Sequence, residues 1–364
     1  MKYINLAAAV FAAGALSSCD TETSQATKTS TSRLEQTHSV PLPPWPAGDE
    51  LGMGNTQGYG TRTRCAVHLL NPHSREYELS YVRSGTMPQS PFAAPVVYDY
   101  EPTFGPPFAR HAVNGEIIHG EPGGQGTQID ALGHFAVIPE VWNPATGPIP
   151  SQNALYYNGY TQAQVKPTPD SPLLKLGVEK IPPIVTSAVL LDARAYLGGG
   201  NPLSGGQQLT AAHLQAMLQA QGLDQRGILP GDVLYIYTGW EELWQDPSVD
   251  GQYYSQGPGL APDAAEWLAQ KAIVAVGLDV PFVDAVNPGQ LSGQSPPPPS
   301  PPGLPFYSHH FLLTQAGIHL MENMRLAQMA TDKTWLSCTL ILPLRERGGS
   351  GSPIRPVSYG PPRH

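Results

Sequence analysis

The chain has 364 residues, of which 40 are Pro and 38 Gly, and only 13% are charged, about half the usual share for a soluble domain. An apolar fraction of 40% with 16 Tyr, 8 Phe and 6 Trp supplies a core and excludes a disordered chain, and Gly without a three-residue period excludes collagen. The formal net charge of −9, with no cluster of Lys and Arg, excludes a nucleic-acid partner.

The chain begins MKYINLAAAVFAAGALSSC. Lys2 gives a short positive start, and the apolar stretch from Ile4 to Leu16 is too short to span a bilayer but suits a secretory signal. Leu16-Ser17-Ser18-Cys19 resembles the lipobox of bacterial lipoproteins. That resemblance implies a signal over 1–18, lipidation of Cys19 and a membrane anchor on the periplasmic side of the bacterial cell envelope. The polar run DTETSQATKTSTS then reads as part of a tether over 19–44, leaving 45–364 for a single domain. Cys65 and Cys338 show no metal-type spacing and are expected as two separate buried thiols, although an oxidising envelope permits a bridge.

Within that domain, GGQGTQIDALGHFAVIPE (123–140) gathers Gln128, Asp130 and His134 in a Gly-rich segment. The runs 187–193, 233–238, 273–278 and 335–344 are short and aliphatic, suited to buried strands. Between the first two, 209–222 reads as a helix capped by Thr210 and ended by Gly222. Pro262 opens a second helix, and a third is expected over roughly 310–329. The alternation of strands and helices predicts an α/β fold, a mixed sheet with flanking helices. The run SPPPPSPPGLP (295–305) is expected as a stiff loop leading into His309 and His310. On a continuous helix, His310 and Glu322 would lie roughly 18 Å apart. They can share a site only if the chain breaks between them, and Gly317 is where a break would fall.

Gly126, Thr127, Asp130 and His134, with His310, Leu312, Leu313, Gly317, Glu322 and Asn323, resemble the two signature elements of the metal-dependent cyclase-like hydrolases, which include kynurenine formamidase and isatin hydrolase. Asp49-Glu50-Leu51-Gly52, Gly231-Asp232-Val233, Thr238-Gly239-Trp240, Gly277-Leu278-Asp279 and the closing GSGSPIRPV extend the resemblance over most of the chain. It implies a swivelling β/β/α fold, a homodimer, and hydrolysis of an amide, formamide or lactam with His134 as general base and then acid. Gly124 and Gln128 stand where that family has metal histidines, and Leu132 replaces a signature Pro. The implied ligand set is therefore Gln128, Asp130, His310 and Glu322, holding one divalent ion. With three oxygens and one nitrogen, that ion is Mn²⁺ or Zn²⁺, or else Mg²⁺. His119 and His309 are spare imidazoles, and Phe135, Phe306 and Tyr307 would suit a planar aromatic substrate. The alternative is a non-catalytic envelope protein that binds a ligand on the same fold.

Overall fold

The structure is a computed structural model and describes residues 45–363, except 148 and 150–152. The expected signal, the tether and Cys19 lie outside the described residues. Thirteen strands occur among those described. Before the main sheet's centre come β1 (Arg75–Glu78), β2 (Val97–Tyr100), β3 (Glu116–His119) and β4 (Gln128–Asp130). The middle of the chain supplies β5 (Ile184–Asp192), β6 (Gln208–Leu209), β7 (Val233–Tyr237), β8 (Gly259–Leu260) and β9 (Ala275–Leu278). The last are β10 (His319–Glu322), β11 (Leu336–Ile341), β12 (Gly351–Pro353) and β13 (Val357–Gly360).

Nine strands form one mixed sheet in the order β1-β13-β11-β5-β7-β9-β10-β4-β12. The centre, β5-β7-β9-β10, is parallel, and both flanks are antiparallel. A parallel centre is covered on both faces, which is why these strands are continuous apolar runs rather than alternating ones. Leu234 and Ile236 pack on one face with Leu214, Met217, Ala265 and Leu268. Val233 and Tyr235 pack on the other with Leu190, Met321 and Met329.

The helices are α1 (Tyr59–Leu69), α2 (Ala211–Ala220), α3 (Pro262–Gln270), α4 (Tyr307–Phe311) and α5 (Ala327–Thr331), with two further single-turn helices over 162–165 and 193–196. As expected, Thr210 caps α2: its hydroxyl accepts from the His213 N–H. Pro262 opens α3 at a position whose N–H has no partner within the helix.

The helix expected over 310–329 does not form. In its place α4 runs into a π turn (Leu312–Ala316), Gly317 reverses the chain at φ 67°, and the chain continues as β10. Two contacts impose the break. Met53 N–H donates to the Gly317 carbonyl at 2.7 Å, and a Cβ on Gly52 would sit 2.4 Å from that oxygen. The Asp49–Asn55 segment is therefore a clamp on the break. Asp49 holds it by accepting from Gly52 N–H, Asn55 and Tyr157.

Other matched motifs are also locks. Asp232 accepts from Ser187, Arg64, Arg226 and the Leu229 N–H, which fixes the turn into β7. Asp279 accepts from Thr238 N–H and hydroxyl, tying the ends of β9 and β7 together.

Cys65 on α1 and Cys338 on β11 form a disulfide, which corrects the expectation of two separate thiols. Their distance was not readable from a separation of 273 residues. Closing so long a loop restricts the unfolded chain, so Cys65→Ala/Cys338→Ala is expected to lower stability by about 2–4 kcal/mol. Urea unfolding of the variant and the oxidised parent checks this, and equal midpoints would refute it.

Candidate metal centre

The site starts from strand alternation. Gln128 and Asp130 are two apart on β4 and project from one face of the sheet. In the antiparallel register Gln128 lies directly opposite Glu322 of β10, and its amide donates to Glu322 Oε2 at 3.2 Å. Below them, Thr127 donates to the Asn323 carbonyl and Asn323 donates to the Gly126 carbonyl, so the Gly-Thr pair holds the two strands in register. β12 pairs with the far side of β4, placing Gly351 against Asp130 and sealing the edge.

The third wall comes from α4. His309 Nε2 lies 3.1 Å from Glu322 Oε1 and 3.7 Å from Asp130 Oδ2. Asp130, His309 and Glu322 are all buried, and each offers a ligand atom within 4.8 Å of the others. Gln128 Oε1 and Asp130 Oδ2 are buried without a hydrogen-bond partner, and both belong to this cluster. Buried acceptors left unpaired are expensive, which makes this a place for a cation.

The imidazole is set by a residue absent from the sequence reading. Asp284, in the loop after β9, accepts from Ser308 N–H at 2.6 Å and from His309 N–H at 3.0 Å. The same carboxylate meets His309 Nδ1 at 2.6 Å, leaving Nε2 to face the cluster. Its signal in the sequence is an acid inside the apolar run VPFVDAV, where a charge survives only if partnered.

His310, expected as the ligand, does not join the cluster. Its Nε2 lies 3.2 Å from the Gln315 amide and its ring tilts against Tyr307. Successive helical side chains point about 100° apart, so only one of the two histidines can face Glu322. With α4 running into the π turn, it is His309 that is presented to Glu322. His119, the other spare imidazole, is exposed on β3 and pairs with Asp99 at 3.2 Å.

His134 is exposed, with its ring 6.5 Å from that of His309 and 5.3 Å from Phe135. It lines a cavity of about 280 Å³ above the cluster, with Gln128, His309 and Glu322 at the floor. Phe92, Phe282 and Phe306 form the wall, with ring centroids 5.8–6.0 Å apart in edge-to-face contacts. Phe306 follows directly on the proline run, so that loop does deliver a residue to the site.

Gly124 also lines the cavity, and a Cβ there would meet Ala93 at 2.8 Å. The Ser90–Ala93 strap takes that space, pinned by three hydrogen bonds to the buried Gln125 side chain.

Burial alone would depress the His309 pKa, but the Asp284 and Glu322 carboxylates outweigh it and hold the imidazole well above its ordinary value. Burial pushes Glu322 up to about 7, with His309 opposing the rise. A cation entering the cluster must therefore displace protons. Its apparent affinity is expected to rise with pH through about 7, with proton release at pH 6 exceeding that at pH 8. Calorimetry in buffers of different ionisation enthalpy measures this, and an affinity flat from pH 6 to 8 would contradict it.

Residues 33–285 match the family model described as "Putative cyclase". Kynurenine formamidases of Bacillus cereus and Bacillus thuringiensis are 33% identical over 100 residues, covering 28% of this chain. The match spans only 39% of the length of those relatives. Among solved structures, a novel cyclase superposes with a TM-score of 0.67 at 22% identity, covering 85% of this chain and 96% of the other. Isatin hydrolase A from Ralstonia solanacearum gives 0.52 at 20% identity, covering 81% and 95%. At such identities the likeness shows the shared fold.

Proposed function

The chain belongs to the cyclase family, and on that premise we propose that it is a metal-dependent hydrolase of an amide, formamide or lactam C–N bond. One observation carries the reading: two buried, unpartnered acceptors, Gln128 Oε1 and Asp130 Oδ2, meet His309 and Glu322 under an aromatic-walled cavity. Three oxygens and one nitrogen suit a single Mn²⁺ or Zn²⁺, with Mg²⁺ the harder option. When bound, such an ion supplies positive charge that polarises a scissile carbonyl and acidifies water.

The chain's own residues do the rest. Asp284 holds His309 in one orientation. The phenyl rings of Phe92, Phe282 and Phe306 take up the apolar body of a substrate and exclude water around it. His134 at the rim removes a proton from the attacking water and returns it to the leaving nitrogen. The relatives' name makes an arylformamidase-like reaction on an aromatic substrate the first to try. The proposal includes a homodimer anchored through lipidated Cys19 on the periplasmic side of the envelope, where Cys19→Ala should release the protein from membranes.

The test is hydrolysis of formanilide by the chain loaded with Mn²⁺ or Zn²⁺. Turnover should fall by about 10²–10⁴ in His134→Ala. Ligand binding without turnover, unaffected by His134→Ala, would instead identify a ligand-binding protein on the same fold.

A further inference from the structure

We propose that the cavity selects substrates whose body, remote from the scissile bond, is uncharged or cationic, and rejects those carrying a carboxylate there. The inference rests on the hydrolase reading and adds the charge class of its substrate. Among the described residues, no Lys or Arg lines the cavity. Arg83, which reaches the same loop, turns its guanidinium onto the Pro122 carbonyl and is not part of the lining.

The ionisable groups that do line it are Glu121, His134, His309 and Glu322. Glu322 belongs to the floor and is matched there by His309. Glu121 is on the exposed side of the lining, and its carboxylate accepts a 3.3 Å hydrogen bond from the Ala94 N–H. No opposite charge faces it among the described residues, so its charge is left to act on whatever enters.

Phe92, Phe282 and Phe306, in edge-to-face contact with one another, make up most of the aromatic lining, with Phe92 on the exposed side. Phenyl faces are electron-rich: they attract a cation, accept a neutral ring and offer nothing to an anion. A carboxylate among the rings would lose its water with no Lys or Arg to replace it, Ser90 and His134 being the side-chain donors nearest the opening, and would face Glu121 as well. Glu121 and the rings thus bias the cavity in the same direction, each by about tenfold or less.

The test titrates the metal-loaded full chain with benzamide, 4-(aminomethyl)benzamide and 4-carbamoylbenzoate by calorimetry. The neutral and ammonium amides are expected to bind at least about tenfold more tightly than the carboxylate. Glu121→Gln should shrink the ratio between the ammonium and carboxylate amides by about fivefold. Equal or tighter binding of the carboxylate, a ratio unmoved by Glu121→Gln, or no binding of any of the three would overturn the inference. Formanilide turnover on the same preparation is read separately. Charge-ordered binding without turnover would sink the hydrolase reading and leave the selectivity standing.

Discussion

His309→Ala is expected to weaken divalent-metal binding by more than a hundredfold, whereas His310→Ala should change it by less than about threefold. The two histidines are adjacent; the family resemblance points to His310 as the ligand with His309 spare, and the structure sets His309 at the cluster instead. His309 Nε2 is the one nitrogen in a cluster otherwise made of oxygens, at 3.1 Å from Glu322. Losing an outer partner of a ligand typically costs 10–100-fold in affinity, so losing the ligand itself should exceed that. It also leaves Glu322 and Asp284 buried without their shared cation, which adds a stability loss. His310 makes only a contact to Gln315 and one to the Tyr307 ring. Calorimetric titration with Mn²⁺ and Zn²⁺ decides between them, and the reverse order would return the ligand role to His310.

The second large effect is at Asp284. Its carboxylate accepts three hydrogen bonds, from Ser308 N–H, His309 N–H and His309 Nδ1. An amide has one acceptor oxygen, so Asp284→Asn must set its NH₂ against at least one of those donors. Either the α4 N–H groups lose a partner or the imidazole reorients. Metal affinity is expected to fall by about 10–100-fold. Asp284 is a positioning residue, so the variant should also shift the pH at which metal binds, a change that a simple loss of packing would not produce. A variant with unaltered affinity and pH profile would show that Asp284 only anchors the start of α4.

The parallel centre of the sheet was legible because buried strands must be apolar throughout. The caps at Thr210 and Pro262 were legible because their chemistry is local. Gln128, Asp130 and Glu322 could be picked from the resemblance, and strand alternation with the β4–β10 register explains why they meet.

The error of one position at His309 has a specific cause. His310 was taken from the spacing of the family element that it resembles, and nothing in HHFLLTQAG announces the π turn that follows the two histidines. Asp284 was missed because it shares no local pattern with His309. The loop after β9 brings it there only once β10 has taken its place beside β9. The strap at Ser90–Ala93 and the pairing of Cys65 with Cys338 depend on long-range closure, which residue spacing does not encode. Gly124 read as a lost ligand, and the structure shows its space taken by Ala93.

The claim that these four side chains form one metal centre is tested most directly by anomalous diffraction from crystals soaked in Mn²⁺. One peak is expected, within about 2.0–2.3 Å of Gln128 Oε1, His309 Nε2 and carboxylate oxygens of Asp130 and Glu322. A peak on His310, a pair of adjacent peaks, or an empty map at full occupancy conditions would contradict it.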